Sequence, residues 1–217
     1  MYNRIVIISG GYMDDVFASA WLTEYVPEYT IVADSGMEFC RRIGIIPDMI
    51  IGDFDSVLSD TLSYFKMQSD IVWRELNPIK DDTDTEFAIR QAIALGTEEI
   101  AILGGTGTRL DHVFGNVALL GIGLKEQVKI QLVDAHNRIR MIDKPMKLEK
   151  ASQFGKFVSI LPFAGAVRGV TLNGFKYPLV NHTMEVFSSL GISNEIVENE
   201  AEICFEEGIL LVIESKD

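Results

Sequence analysis

A change of periodicity about two-thirds of the way along the chain constrains its fold more than any other feature. Up to about residue 135, short apolar runs at 5–8, 30–33, 49–51, 71–73, 99–103 and 128–133 alternate with amphipathic stretches at 14–25, 37–43, 57–66, 83–95 and 110–125. Strand–helix alternation with near-continuous apolar strands predicts a mostly parallel sheet covered by helices on both faces. Thr83 and Glu86 have the spacing of a capping box, and Gly96 stands where a C-cap glycine would end that helix. After Arg140 the runs fall at 157–161, 167–172, 184–187, 195–197, 201–205 and 209–213, punctuated by glycines at 155, 165, 169, 174, 191 and 208. None of that stretch has helical periodicity, and short strands at regular spacing predict a small antiparallel β-sandwich. The expected architecture is an N-terminal, mostly parallel, Rossmann-like α/β domain over residues 1–140 followed by a β-sandwich over residues 141–217. Asp143-Lys144-Pro145 is the expected join.

Charge removes several function classes. Nineteen Lys and Arg face 32 Asp and Glu, a formal charge of −13, so no basic face is expected to neutralise nucleic-acid phosphates or anionic lipid. The apolar run at 5–8 is shorter than the roughly 7–15-residue core of a signal peptide, and no stretch approaches the ~20 apolar residues that span a bilayer. Cys40 and Cys204 supply neither a disulfide framework nor a four-ligand zinc site. A cytoplasmic protein binding neither nucleic acid nor membrane is expected.

The acids are concentrated. Between Asp48 and Glu86 ten of them face Lys66, Arg74 and Lys80. Solvated helix faces would account for a bare charge run, but placement argues for more. In Gly52-Asp53-Phe54-Asp55-Ser56, two aspartates follow directly on an apolar strand. In extended chain, residues i and i+2 point to one face, so Asp53 and Asp55 are expected to project together. The carboxyl ends of strands in an open α/β sheet are where ligands sit. Two carboxylates in one crevice repel unless a cation or proton intervenes; Mg²⁺ shared with substrate phosphates is the usual resolution. Lys80-Asp81-Asp82-Thr83-Asp84-Thr85-Glu86 occupies another strand-to-helix connection, where acids also favour the helix N-terminus without any further role. Gly104-Gly105-Thr106-Gly107-Thr108-Arg109-Leu110-Asp111-His112 leads from a strand into a helix. Its glycines allow close backbone approach, its amides suit an anion, and Arg109 suits a phosphate. No Gly-Lys-Ser/Thr follows, and Leu110 takes the place of a dinucleotide-binding glycine. His112 could serve as acid, base or capping group, and taken alone it reads first as a satisfied structural histidine.

These elements, in this order, resemble the thiamine pyrophosphokinase family over essentially the whole chain. The matching segments are Ala33-Asp34-Ser35-Gly36, Gly52 to Ser56, Lys80 to Glu86 and Gly107 to His112, then Gly169-Val170-Thr171-Leu172, Lys176-Tyr177-Pro178-Leu179 and Gly191-Ile192-Ser193-Asn194-Glu195. The resemblance implies Mg²⁺-dependent transfer of the pyrophosphoryl unit of ATP to the hydroxyl of thiamine, releasing AMP. It implies a homodimer with active sites shared between the α/β domain of one subunit and the β domain of the other. Asp53, Asp55, Asp81 and Asp84 would surround Mg²⁺ and the polyphosphate and carry the catalysis. Asp34, Ser35, Gly36, Lys80, Gly107, Arg109, Asp111 and His112 would contact ATP, while Thr83, Ser193 and Asn194 would hold thiamine. Thr108 stands where the family pattern has glycine, and Trp21 and Trp73 both precede the β domain. A haloacid-dehalogenase-type phosphatase also places Asp-x-Asp after an apolar strand. Its late acidic motif on a further parallel strand has no counterpart in the antiparallel C-terminal third.

Overall fold

The structure, a computed structural model, describes residues 2–77 and 82–217. The protein is mixed α/β and rich in sheet, and it divides into two compact units, Met1–Ala135 and His136–Asp217. The division falls five residues before the expected boundary at residue 140.

In the first unit the strands are β1 (Tyr2–Ile8), β2 (Tyr29–Ala33), β3 (Met49–Gly52), β4 (Val72–Glu75), β5 (Thr97–Leu103) and β6 (Lys129–Val133). They lie in the order β4-β3-β2-β1-β5-β6, and every adjacent pair is parallel. Ile5 to Ile8 and Ile100 to Ile102 are fully buried, as expected of central strands covered on both faces. The helices are α1 (Asp15–Tyr25), α2 (Gly36–Ile43), α3 (Ser59–Lys66), α4 (Asp84–Ala94) and α5 (Leu110–Glu126). Their ends follow local chemistry. Asp14 caps α1 by accepting the Phe17 N–H at 2.8 Å, and Thr83 caps α4 by accepting the Glu86 N–H at 3.2 Å. Gly96, at φ +77, turns the chain out of α4 into β5. The connections step one way from β1 to β4 and then jump back to β5 beside β1. This reversal opens a crevice beyond the carboxyl ends of β1 and β5, the place where open parallel sheets receive ligands.

In the second unit the strands are β7 (Asn137–Ile142), β8 (Met146–Glu149), β9 (Phe157–Asn173), β10 (Leu179–Met184), β11 (Asn194–Glu195), β12 (Glu200–Cys204) and β13 (Glu207–Ser215). Their pairings are antiparallel. The runs expected as separate strands at 157–161 and 167–172 are two halves of β9. Ala164 (φ +63) and a register shift against β13 bend it without ending it. Its first half pairs with β13 and β11, and its second half with β10 and β12. Val158, Ile160, Val167, Val170 and Leu172 of β9 pack in one core with Ala201, Ile203, Leu210 and Val212. The strand expected at 184–187 instead ends at Met184.

Glu214, on β13, is fully buried. It accepts two 2.8 Å bonds from Arg138, one from Arg140, and the Phe154 N–H at 3.0 Å. Burial pushes its carboxyl up, but the Arg138 bonds, both guanidinium charges and the Phe154 N–H together bring it below the usual range. Among the described residues no helix is long and apolar enough to cross a membrane.

Candidate active site

A cavity of about 510 Å³ lies at the carboxyl ends of β1, β2 and β5. Its floor is two interlocked turns, Ser9-Gly10-Gly11-Tyr12 after β1 and Gly104 to Gly107 after β5. The Gly11 N–H donates to Gly104 O at 3.0 Å. Gly104 has φ +69, and a Cβ there would stand 2.3 Å from Ser9 O, so only glycine lets the turns approach this closely. Hydrogen bonds tie the floor to its surroundings: Asn116 Nδ2 to Gly105 O (2.8 Å), Thr106 Oγ1 to Asp134 Oδ2 (2.6 Å), and Ser9 Oγ with Thr85 Oγ1 (3.0 Å). Thr83, Asp84 and Thr85 at the start of α4, and Arg109 and His112 at the start of α5, line the walls. Two helix N-termini therefore face the cavity, each a positive dipole end suited to an anion.

The acids stand at the β2–β3 side. Asp34, Asp53 and Asp55 each bring a carboxylate oxygen within 4.8 Å of the others. Asp34 sits at the end of β2 in the left-handed region (φ +48), and a Cβ on Gly52 would lie 3.2 Å from its Cα. Its Oδ2 accepts from the Ser56 hydroxyl, while its Oδ1 is buried and has no hydrogen-bond partner among the described residues. Asp53 and Asp55 do converge, but not as alternate residues of an extended strand. β3 stops at Gly52, Phe54 takes φ +64, and the Asp55 N–H donates to Asp53 Oδ1 at 3.2 Å. The chain folds over at Phe54 and brings the two side chains round together. The charge of Asp53, then desolvation and the hydrogen bond with Asp53, then the charges of Asp34 and Asp84, raise the Asp55 carboxyl above the usual range. Three hard oxygen donors that repel one another, one of them buried without a partner, fit a divalent cation.

Of the residues expected in the site, Asp34, Ser35, Thr83, Asp84, Gly107, Arg109 and His112 line one cavity, and Ser56 joins Asp34 to the Asp53–Asp55 loop. Gly36 opens α2 from below; a Cβ there would meet Ile8 O at 2.3 Å. Arg109 and Asp111 form an exposed pair at 2.6 Å, which keeps Asp111 below its ordinary range, and the His112 N–H donates to Asp111 at 2.9 Å. Lys80 and Asp81 lie outside the described residues. Ser193 and Asn194 belong to the second unit. Ser193 (φ +56) donates its N–H to Ser159 Oγ at 2.9 Å. Asn194 is buried, and its amide is largely committed: Oδ1 accepts the N–H groups of Tyr177 (3.0 Å) and Glu195 (2.9 Å), and Nδ2 donates to Tyr177 O (2.8 Å). Ser9 to Tyr12, Thr85 and Asn116 were not expected. The signal for the first of these is the Gly10-Gly11 pair directly after the first apolar strand, and Thr85 lies within the Lys80–Glu86 segment.

Residues 24–132 match the family described as thiamin pyrophosphokinase, catalytic domain, and residues 145–210 match the thiamin pyrophosphokinase vitamin B1 binding domain. The chain is 35% identical over 198 residues to the thiamine pyrophosphokinase of Bacillus subtilis (strain 168), covering 90% of this chain and 92% of that protein. A crystal structure of thiamine pyrophosphokinase from Bacillus subtilis superposes with a TM-score of 0.89 at 35% identity, covering 99% of this chain and 100% of the other. That of the Geobacillus thermodenitrificans thiamin pyrophosphokinase gives 0.84 at 32% identity, covering 99% and 98%.

Proposed function

The chain belongs to the thiamine pyrophosphokinase family, and from that premise we propose that the cavity between the β1 and β5 turns, with the Asp34–Asp53–Asp55 group beside it, is where ATP gives up its pyrophosphoryl unit. The reaction is that of a thiamine diphosphokinase. The hydroxyl oxygen of thiamine bonds to the β-phosphorus of ATP, the bridge from that phosphorus to the α-phosphate breaks, and AMP leaves with the bridging oxygen. The hydroxyl proton passes to a carboxylate of the acidic group. The observation that carries this reading is the gathering of three carboxylates within 4.8 Å beside a glycine-floored cavity.

Phosphoryl transfer asks the protein for position and charge balance rather than covalent chemistry. The turn amides and the N-termini of α4 and α5 receive phosphate oxygens. Arg109 exchanges Asp111 for a phosphate, and Ser35 and His112 border the nucleotide. Asp34 joins Asp53, Asp55 and Asp84 as a holder of Mg²⁺, and Lys80 and Asp81 keep the ATP and metal roles that the resemblance gives them. When bound, Mg²⁺ neutralises charge on the polyphosphate oxygens. The net acidity of the site draws in thiamine, a cation.

Residues 1–140 serve as a catalytic domain of Rossmann-like type, and residues 141–217 as a β-sandwich that holds thiamine through Ser193 and Asn194, with Thr83 contributing from the first domain. The commitment of the Asn194 amide to Tyr177 gives it the task of shaping that pocket. The enzyme works in the cytoplasm as a homodimer whose active sites combine the two domain types from different subunits. Incubation with ATP, thiamine and Mg²⁺ should yield AMP and thiamine diphosphate in equal amounts. ADP with thiamine monophosphate would refute the reaction, and activity surviving exhaustive chelation would refute the metal.

A further inference from the structure

The loop that carries Asp53 and Asp55 is bent against two costs: like charges face each other across it, and a bulky residue at its crest occupies the left-handed region. Each end is tied down. Leu76 N donates to Gly52 O at 2.9 Å on one side. On the other, the Ser56 hydroxyl donates to Asp34, and the Leu58 N–H donates to Glu38 Oε1 at 3.0 Å. At the crest is Phe54 (φ +64), and its ring meets the ring of Trp73 edge-to-face, with centroids 5.4 Å apart and planes at 80°. Trp73 sits on the neighbouring strand β4, in register with Ile50 of β3. It therefore reaches the loop from an element that carries no acid of the Asp34–Asp53–Asp55 group.

We infer that Trp73 is a positioning residue for the metal site: by holding the Phe54 ring, it keeps the Asp53–Phe54–Asp55 turn folded before any cation arrives. This inference rests on the assignment of Asp34, Asp53 and Asp55 as metal holders. Without the ring contact, the loop relaxes to separate the two carboxylates. Apparent cation affinity then falls by the fraction of molecules in which they still converge. An edge-to-face aromatic pair is worth about 2- to 10-fold in an equilibrium constant.

The test uses Mn²⁺ alone, with free ion counted by electron paramagnetic resonance and no nucleotide present. Trp73→Ala should bind Mn²⁺ about 3- to 10-fold more weakly than the wild type, whereas Trp73→Phe, which keeps an aromatic ring for Phe54, should stay within about 2-fold. Turnover should show the same split, with a raised Mg²⁺ requirement in Trp73→Ala but a kcat near wild type at saturating Mg²⁺. If Trp73→Ala does not fold, Phe54→Ala reads the same contact from the loop side. Wild-type Mn²⁺ affinity in the folded variant overturns the inference alone, leaving the metal assignment intact. Failure of the wild-type protein to bind Mn²⁺ overturns both.

Discussion

Replacing Gly104 with alanine tests whether the closeness of the β1 and β5 turns is what makes the cavity work. Three glycines form a series. Gly44 ends α2 at φ +77, and a Cβ there meets nothing within 4 Å. Gly44→Ala should therefore cost only the left-handed strain of a non-glycine residue, about 1–2 kcal/mol. Gly104, at φ +69, carries the same strain, but its Cβ would also stand 2.3 Å from Ser9 O and 2.9 Å from Met13 Cε. Overpacking of that kind adds about 1–3 kcal/mol, for a total of about 2–5 kcal/mol. Gly115 lies within α5 with open space around it, and Gly115→Ala should stabilise by up to about 1 kcal/mol. Ordinary van der Waals contact begins at 3.4 Å. The Ser9 carbonyl or residue 104 must therefore move by roughly 1 Å, a displacement that costs about 100-fold in rate when it reaches reacting groups. Urea unfolding followed by tryptophan emission reports this unit directly, since Trp21 and Trp73 both lie in it. Gly104→Ala should lose about two orders of magnitude in kcat/KM, while Gly44→Ala and Gly115→Ala stay near wild type. If Gly104→Ala and Gly44→Ala prove equal in both stability and activity, the close approach of the turns is irrelevant and the reasoning fails.

Asp55→Asn should lower turnover by at least about two orders of magnitude, roughly 2.7 kcal/mol in the barrier. It should leave the metal-free protein as stable as before or slightly more so, because Asp53 loses a like-charged neighbour; thermal unfolding in a chelator checks this. Since the Asp55 carboxyl is raised in the fold, its unfavourable contribution appears as pH rises through that value and should vanish in the variant. Asn194→Ala strips side-chain partners from Tyr177 and Glu195. It should cost about 1–3 kcal/mol in urea unfolding and raise the thiamine KM with little change in the ATP KM. Glu214 is lowered below its unfolded value, so its stabilisation is present above about pH 4.5 and drains away as pH falls through the folded value. Glu214→Gln should lose about 3 kcal/mol at neutral pH, because two arginines stay behind without their carboxylate, and should show a flatter acid limb in a plot of melting temperature against pH.

The first unit was legible because its signals are local. Parallel strands buried on both faces appear as unbroken apolar runs, and Thr83 and Gly96 mark the ends of α4 by short-range chemistry. Family resemblance, rather than spacing, placed Asp34 in the site, and placed it with ATP. Its position beside Asp53 and Asp55 depends on Gly52 leaving room for its backbone, an approach between strands that no local pattern encodes. The rule that residues i and i+2 share a face gave the right meeting of Asp53 and Asp55 for the wrong reason, since it holds only while the chain stays extended and Phe54 breaks it. The Gly10-Gly11 turn passed as punctuation because its partner, Gly104, is far away in sequence. In the second unit, Gly165 looks like a strand end, yet β9 passes through it. A glycine beside a bulge bends a strand that its neighbours still hold on both sides.

That long strand gives the second unit a particular mechanical character. β9 is hydrogen-bonded to β10, β11, β12 and β13, while β7 reaches it through β13 and β8 through β12. Apart from the edge strands β8 and β10, each paired on one side only, a sheet wired through one spine has little that can open by itself and leave the rest intact. Amide protons on strands far apart in sequence should then exchange with solvent through one shared opening event rather than through separate local ones. The pairs that define the spine join residues as distant as Phe157 and Ser215, so little of it can form until the last strand has been made. During synthesis, the unit stays open to proteolysis until β13 has emerged from the ribosome and can close the network.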